Sequence, residues 1–268
     1  MAIEGEKQVA LAIGAHPDDV EIHCAGTLRL LQAAGFELHV ATMTLGDCGS
    51  KGLSAEQTCA VRRKEAESAC RMLGAAYHYA GSHDFAIFND DAHNRLVTAL
   101  VRDVNPSLVL THQPHDYIVD HEATSILVRN ACFYAPAPNY DTSTVSESPA
   151  ISGIPHLYYW DAVERRDIFG KSAAVEMYVD ISREMEFKVA MLAEHESQRE
   201  WLRAQHGIDE YLVTTKEWGR IRGGEASRLA GLTVLYAEAF RQHLGHAYPR
   251  NNLLLGVLRN HVITNPGY

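Results

Sequence analysis

Residues 8–44 read QVALAIGAHPDDVEIHCAGTLRLLQAAGFELHVATMT, and this stretch decides the fold. Residues 8–15 are a short apolar run that ends in a polar turn. Residues 22–34 repeat their apolar side chains at helical spacing and stop at Gly35, a residue that ends helices because it adopts positive φ without strain. Residues 38–44 are again apolar and rich in β-formers. A strand, a helix and a strand in so short a span form a βαβ unit, which places the two strands parallel.

The pattern continues outward. Residues 56–73 read as a helix ended by Gly74, 75–80 as a third strand and 91–104 as a helix closed by Pro106. Residues 107–111 are a fourth strand and 122–133 a further helix. The fold class is therefore α/β, a Rossmann-like, doubly wound and mainly parallel sheet. Residues 135–155 are rich in Pro, Ser, Thr and Asn and read as a long loop, a lid or specificity element. Beyond it, 156–163 and 175–179 read as strands, 183–205 as one long polar helix and 232–243 as another helix, together a C-terminal α/β extension. No repeat or boundary divides the 268 residues. They are expected to form one domain, with a Rossmann-like half at 1–134 and the loop and extension at 135–268.

The chain is 46% hydrophobic and 22% charged, a globular balance, and its net charge of −10 argues against a nucleic-acid footprint. The short basic run Arg62, Arg63, Lys64 is flanked by Glu65 and Glu67 and reads as a solvated helix face. Five cysteines without a CxxC spacing suggest reduced thiols in a cytoplasmic protein. Met1 to Lys7 lacks the apolar core of a signal peptide, and no apolar run approaches the length of a membrane span.

Ligands of such sheets sit at the carboxyl ends of the strands. Two of those ends are rich in His and Asp: His16-Pro17-Asp18-Asp19 after the first strand, and His112 to His121 after the fourth. His16, Asp19 and His121 make a ligand mixture suited to zinc, and three protein ligands leave a position for water. Asp18, next to a ligand but outside the metal's shell, is placed to act as general base. An Asp pair alone would more simply be a helix N-terminal device. Yet two carboxylates in one turn repel unless a cation lies beside them, and the histidines tip the reading to a metal. His23 and Cys24 read as core or rim, and Trp160, Trp201 and Trp218 as packing. The loop 46–52 lacks a phosphate-binding pattern and reads as a mobile pocket wall.

Ala15-His16-Pro17-Asp18-Asp19-Val20-Glu21 resembles the AHPDDxE signature of the PIG-L/LmbE-like zinc-dependent de-N-acetylases, and Asp116 to His121 resembles the family's second motif, which ends in Asp-His. The likeness continues through Arg62-Arg63-Lys64-Glu65, the stretch from Lys188 to Gln198, and Tyr236 to Phe240. The resemblance implies one zinc ion held by His16, Asp19 and His121, with Asp18 as general base. Asp120 would orient a catalytic group, Arg62 and Asp84 would contact substrate, and His195 would be a catalytic histidine. It implies hydrolysis of an N-acetyl group on an amino-sugar or similar small molecule, and a chain that assembles with its own copies. Many members place His-Pro before the final Asp-His, and that histidine is thought to stabilise the oxyanion; here Ile118 and Val119 stand instead. The substitutes are His112 or His115 from the same loop, or His195. His195 is expected to point into the pocket, and at least one of the other two to line its rim. A relative that only binds metal and ligand is the alternative. A magnesium-binding receiver domain is disfavoured because the third strand ends in Tyr79-Ala80-Gly81 without an Asp. A dinucleotide module is disfavoured because the first turn is acidic.

Overall fold

The computed structural model describes residues 8–206 and 210–267, so the reading of Met1–Lys7 lies outside the described residues. The first strand, β1 (Val9–Gly14), shows why the sheet is wound on both faces. Ala10 and Ala12 enter one buried cluster with Leu28, Leu31, Leu73 and Met191, while Leu11 and Ile13 enter a second with Val97, Val101 and Leu127. Side chains alternate across a strand, so a strand apolar throughout must be covered on both sides. The helices α1 (Asp19–Ala33), α2 (Ala55–Leu73) and α5 (Met185–Ala193) supply one cover, and α3 (Asp91–Val104) and α4 (Val119–Tyr134) the other.

With β2 (Glu37–Thr42), β3 (Ala76–Tyr79), β4 (Leu108–Thr111) and β5 (His156–Trp160), β1 builds a parallel block in the order β3-β2-β1-β4-β5. The winding reverses between β1 and β4, whose register pairs Ile13 with Thr111. Loops that leave two such strands part to opposite faces and open a crevice between them.

The sheet continues as β7 (Ala237–Gln242), β6 (Met177–Asp180) and β8 (Val262–Thr264), each antiparallel to its neighbour, so all eight strands belong to one sheet. Two expectations are corrected here. Residues 232–243 were read as a helix, but β7 lies in the middle of the sheet and buries Ala237, Glu238, Ala239 and Phe240 alike, so no strand alternation shows in its sequence. The Glu238 carboxylate is satisfied inside: it accepts from Gly26 N, from Thr27 N and Oγ1, and from Lys188 Nζ, which ties β7 to α1 and α5. The single helix read at 183–205 is two, α5 and α6 (Glu196–His206), broken at Glu194–His195. A further helix, α7 (Glu210–Ala230), and a short α8 (Leu253–Leu258) went unread. No helix among the described residues is long and apolar enough to cross a membrane.

Candidate metal centre

At the end of β1 the chain turns so tightly that a Cβ on Gly14 would come within 2.8 Å of Asp19 Cβ. The turn is closed by His16 N–H, which donates to Asp19 Oδ2 at 2.7 Å. Between them Asp18 stands at φ 111, ψ −29, in the left-handed region, and makes no capping bond to α1. The Asp pair is therefore not a helix-capping device. Such a backbone costs on the order of 1–3 kcal/mol and persists where its surroundings impose it. Here Arg62 does so: buried on α2, it donates from Nη2 to Pro17 O at 2.7 Å and to Asp18 Oδ2 at 3.1 Å, and from Nη1 to Gly46 O.

Across the crevice the first turn of α4 delivers Asp120 and His121. Ligand atoms of His16, Asp19 and His121 lie within 4.8 Å of one another. Each histidine is held at its far nitrogen by a carboxylate. His16 Nε2 is 3.1 Å from Asp120 Oδ2, an oxygen that also accepts Phe85 N–H at 2.9 Å, and His121 Nδ1 is 3.2 Å from Asp116 Oδ2. That leaves His16 Nδ1 and His121 Nε2 turned toward Asp19, at 3.5 and 3.4 Å from its oxygens. His121 Nε2 is buried yet closes no hydrogen bond with a described residue. A bare ring nitrogen facing a carboxylate, with its partner nitrogen fixed from behind, is the donor arrangement of a metal-binding histidine. The residues fit a divalent ion.

The electrostatics agree. Burial works against a charged ring at His16 and His121, but the bonds from Asp120 and Asp19 at the first, and the charges of Asp19 and Asp116 at the second, outweigh it. They push the two pKa values up to about 10 and about 9. Burial likewise opposes the charge of Asp19, yet the His121 and His112 rings hold its carboxyl well below the usual range. Burial raises the carboxyl of Asp18, with the Asp19 charge adding to it and Arg62 opposing. A cluster that draws protons onto its rings in this way is one in which a cation takes their place.

Other site residues lie elsewhere than the sequence reading placed them. His112 is not on the rim. It is fully buried behind Asp19, with Nε2 3.1 Å from Asp19 Oδ2, its ring stacked on His121 at 3.9 Å and Trp160 Nε1–H donating to Nδ1. Burial and the neighbouring His121 push its pKa down to about 4, so it orients the ligand carboxylate as a neutral ring. His115 points outward, 81% exposed, toward Glu122. His195 closes the junction of α5 and α6, fully buried with Nε2 3.2 Å from Glu21, and does not line the cavity. Asp84 spends both oxygens on its own neighbourhood, accepting from Thr44 Oγ1 and Cys48 N–H, and stands 4.0 Å from His16. It shapes the loop 46–52 rather than a substrate contact.

In front of Asp18, Asp19, His16 and His121 opens a cavity of about 390 Å³, with Arg62 in its wall. Much of the rest of the wall is apolar or aromatic, with Phe85, Tyr117 and Ile118 from one side and Trp201, Leu202, Tyr211 and Trp218 on α6 and α7 from the other, and the polar side chains His23, Gln198, Thr214 and Thr215 are set among them. Two of the tryptophans read as packing thus face the cavity, while Trp160 is core. No residue of 135–155 lines it. That segment is pinned away from the site by buried Arg102 on α3, which donates to Ala135 O, Ala137 O and Thr142 Oγ1. Asp116 and, on α7, Tyr211 were missed. The first had a signal, a carboxylate in the loop that delivers His121; the second had none.

Fold and site together define an α/β enzyme with a candidate metal centre at the switch point of a doubly wound sheet. A family model described as PIG-L, GlcNAc-PI de-N-acetylase, matches residues 11–132, which hold both metal-binding loops. The chain is 29% identical over 199 residues to a probable N-acetyl-alpha-D-glucosaminyl L-malate deacetylase 2 of Bacillus cereus, covering 71% of this chain and 83% of that one. It is 24% identical over 249 residues to a 4-oxalmesaconate hydratase of Pseudomonas putida, 90% of each chain. Among solved structures, an N,N'-diacetylchitobiose deacetylase from Pyrococcus horikoshii superposes with a TM-score of 0.74 at 23% identity, over 92% of this chain and 89% of that one. Its likeness is thus to the PIG-L/LmbE-like de-N-acetylases, through a family model that holds both His- and Asp-rich loops of the site.

Proposed function

We propose that the protein is a zinc-dependent amidase that removes an N-acetyl group from an amino sugar or a related small molecule, releasing acetate and a free amine. The observation that carries this reading is the pair His16 Nδ1 and His121 Nε2 turned toward Asp19, the second of them buried without a hydrogen bond, with the strained Asp18 beside them at the cavity floor. His16, Asp19 and His121 would hold the ion. Zinc, when bound, polarises a carbonyl and lowers the pKa of water from 15.7 to about 7. Asp18 takes the proton of the attacking water and returns it to the leaving nitrogen. Arg62 keeps the Asp18 carboxylate in position, while Asp116, Asp120 and His112 keep the ligands in theirs. The aromatic walls suit the apolar faces of a sugar ring. The five free cysteines suit a reducing compartment, the cytoplasm.

The hydratase relative raises a second reaction, addition of the activated water to a carbon–carbon double bond. The oxalmesaconate in its name is a polycarboxylate, which asks for cationic receptors. Among the described residues of the cavity wall Arg62 is the one Arg or Lys, and its guanidinium is already engaged by Asp18 and two carbonyls. Deacetylation is therefore the better fit. Zinc-loaded protein should release acetate from N-acetylglucosamine, from N,N'-diacetylchitobiose or from a glycoside of the former. Absence of acetate from all of them, together with water addition to an unsaturated polycarboxylate, would replace amidase by hydratase.

Gly46 tests the hold on Asp18. It stands at φ +69, and a Cβ there would lie 1.7 Å from Arg62 Nη1. Gly46→Ala should push the guanidinium off Asp18 and lower kcat by roughly tenfold, the lesser end of what displacing a reacting group costs, with zinc content unchanged. An unaltered kcat would mean that Arg62 does not set the position of Asp18.

A further inference from the structure

The position at which the family resemblance looks for a histidine is occupied by Ile118, whose apolar side chain lines the cavity. An oxyanion formed there needs a hydrogen-bond donor. None of the three histidines weighed as substitutes lines the cavity: His112 lies behind Asp19, His115 faces outward and His195 sits against Glu21.

Among the hydroxyls of the cavity wall, that of Tyr211 lies beside Asp18. Tyr211, in the first turn of α7, lines the same cavity as Asp18 and Asp19. Its oxygen is buried, and its hydroxyl is placed to donate to the Asp18 carboxylate beside it. A buried hydroxyl whose acceptor takes up a proton is left unsatisfied, and a new acceptor on a bound molecule relieves that. Trp201 Nε1, His23 Nε2 and Arg62 Nε are further buried nitrogens without a partner on residues of the cavity wall. Nothing brings the first two beside Asp18, and the Arg62 guanidinium is held by Asp18 and two carbonyls.

The geometry points to Tyr211 as the donor that stabilises the oxyanion, in the role that Ile118 cannot fill. This rests on the reading of the site as an amidase. The sequence of events balances without another reactant. Water oxygen bonds to the acetyl carbon, its proton passes to Asp18, and the carbonyl electron pair moves onto oxygen. At that moment Asp18 becomes neutral and stops attracting the Tyr211 O–H, while the new oxyanion begins to attract it. Tyr211 thus turns from one acceptor to the other without giving up its proton. When the carbon–nitrogen bond breaks, the nitrogen takes the proton from Asp18, the carbonyl reforms, and Tyr211 is left as it began.

The test compares zinc-loaded wild type with Tyr211→Phe, zinc content and thermal unfolding being checked in both. Two readouts are taken: calorimetric binding of acetohydroxamate, which chelates zinc and sets its oxygens where an oxyanion forms, and acetate release from N,N'-diacetylchitobiose. We expect acetohydroxamate to bind about tenfold more weakly to the variant and kcat to fall by about 10²–10³ with little change in KM, the usual cost of one oxyanion donor. Should Tyr211→Phe fail to fold, Tyr211→His keeps a donor on a shorter side chain and should retain part of both. Unchanged hydroxamate affinity and kcat would overturn the proposal, as would a loss confined to KM, which marks a substrate contact. If wild type releases no acetate but Tyr211→Phe still binds hydroxamate more weakly, the donor stands and the amidase reading falls. If wild type binds no hydroxamate, both fall.

Discussion

The His121→Ala protein should emerge from purification without bound metal and without measurable turnover. Three side chains converge on the centre, and removing one leaves His16 and Asp19, too few to hold zinc against water and buffer. The loss cannot be made good nearby. His112 stacks on His121 and has its nitrogens turned to Asp19, Ala15 N–H and Trp160, so it cannot swing forward without breaking those contacts. The substitution also unpairs Asp116, whose buried Oδ2 faces His121 Nδ1, and removes a ring packed between His112 and Tyr117. A fall in thermal stability should therefore accompany the loss of metal. Elemental analysis and acetate release settle the matter together: an equimolar ion remaining in His121→Ala would show that the centre is built from other ligands.

Asp18→Asn should do the opposite, keeping the ion and losing the chemistry. Asparagine offers an oxygen to Arg62 and tolerates a left-handed backbone better than other side chains, so the turn at φ 111 survives. What it lacks is the capacity to accept and return a proton, a function worth about 10²–10⁴-fold in rate. We expect kcat to fall within that range at unchanged zinc content. Loss of zinc instead would mean that Asp18 and Asp19 exchange roles.

The parts of the molecule legible from sequence are those in which local pattern and tertiary structure agree. The strands β1 to β5 are short apolar runs between well-marked helices, and the two His- and Asp-rich loops follow two of them directly, so both the fold class and the meeting of His16, Asp19 and His121 could be read. The second half was harder for physical reasons. The strand β7 is buried on both faces and carries Glu238 inside, which hides its alternation. The wall residues Trp201, Tyr211 and Trp218 are brought to His16 by packing between elements far apart in the chain, which leaves no mark in local spacing. His195 shows the limit of a motif: the resemblance placed it in the pocket, while the break between α5 and α6 seats it against Glu21.

The cavity is assembled from two sources. Its reactive floor comes from loops on the parallel strands, with His16 held by Asp120, His121 by Asp116 and Asp18 by Arg62, whereas its far wall is carried by α6 and α7. A lineage that keeps Tyr211 can therefore rewrite the rest of α6 and α7 to accept a new leaving group while the proton chemistry is inherited intact. The two halves can change at different speeds, and a library of variants confined to the wall positions of α6 and α7 other than Tyr211 is the economical route to a catalyst with altered taste.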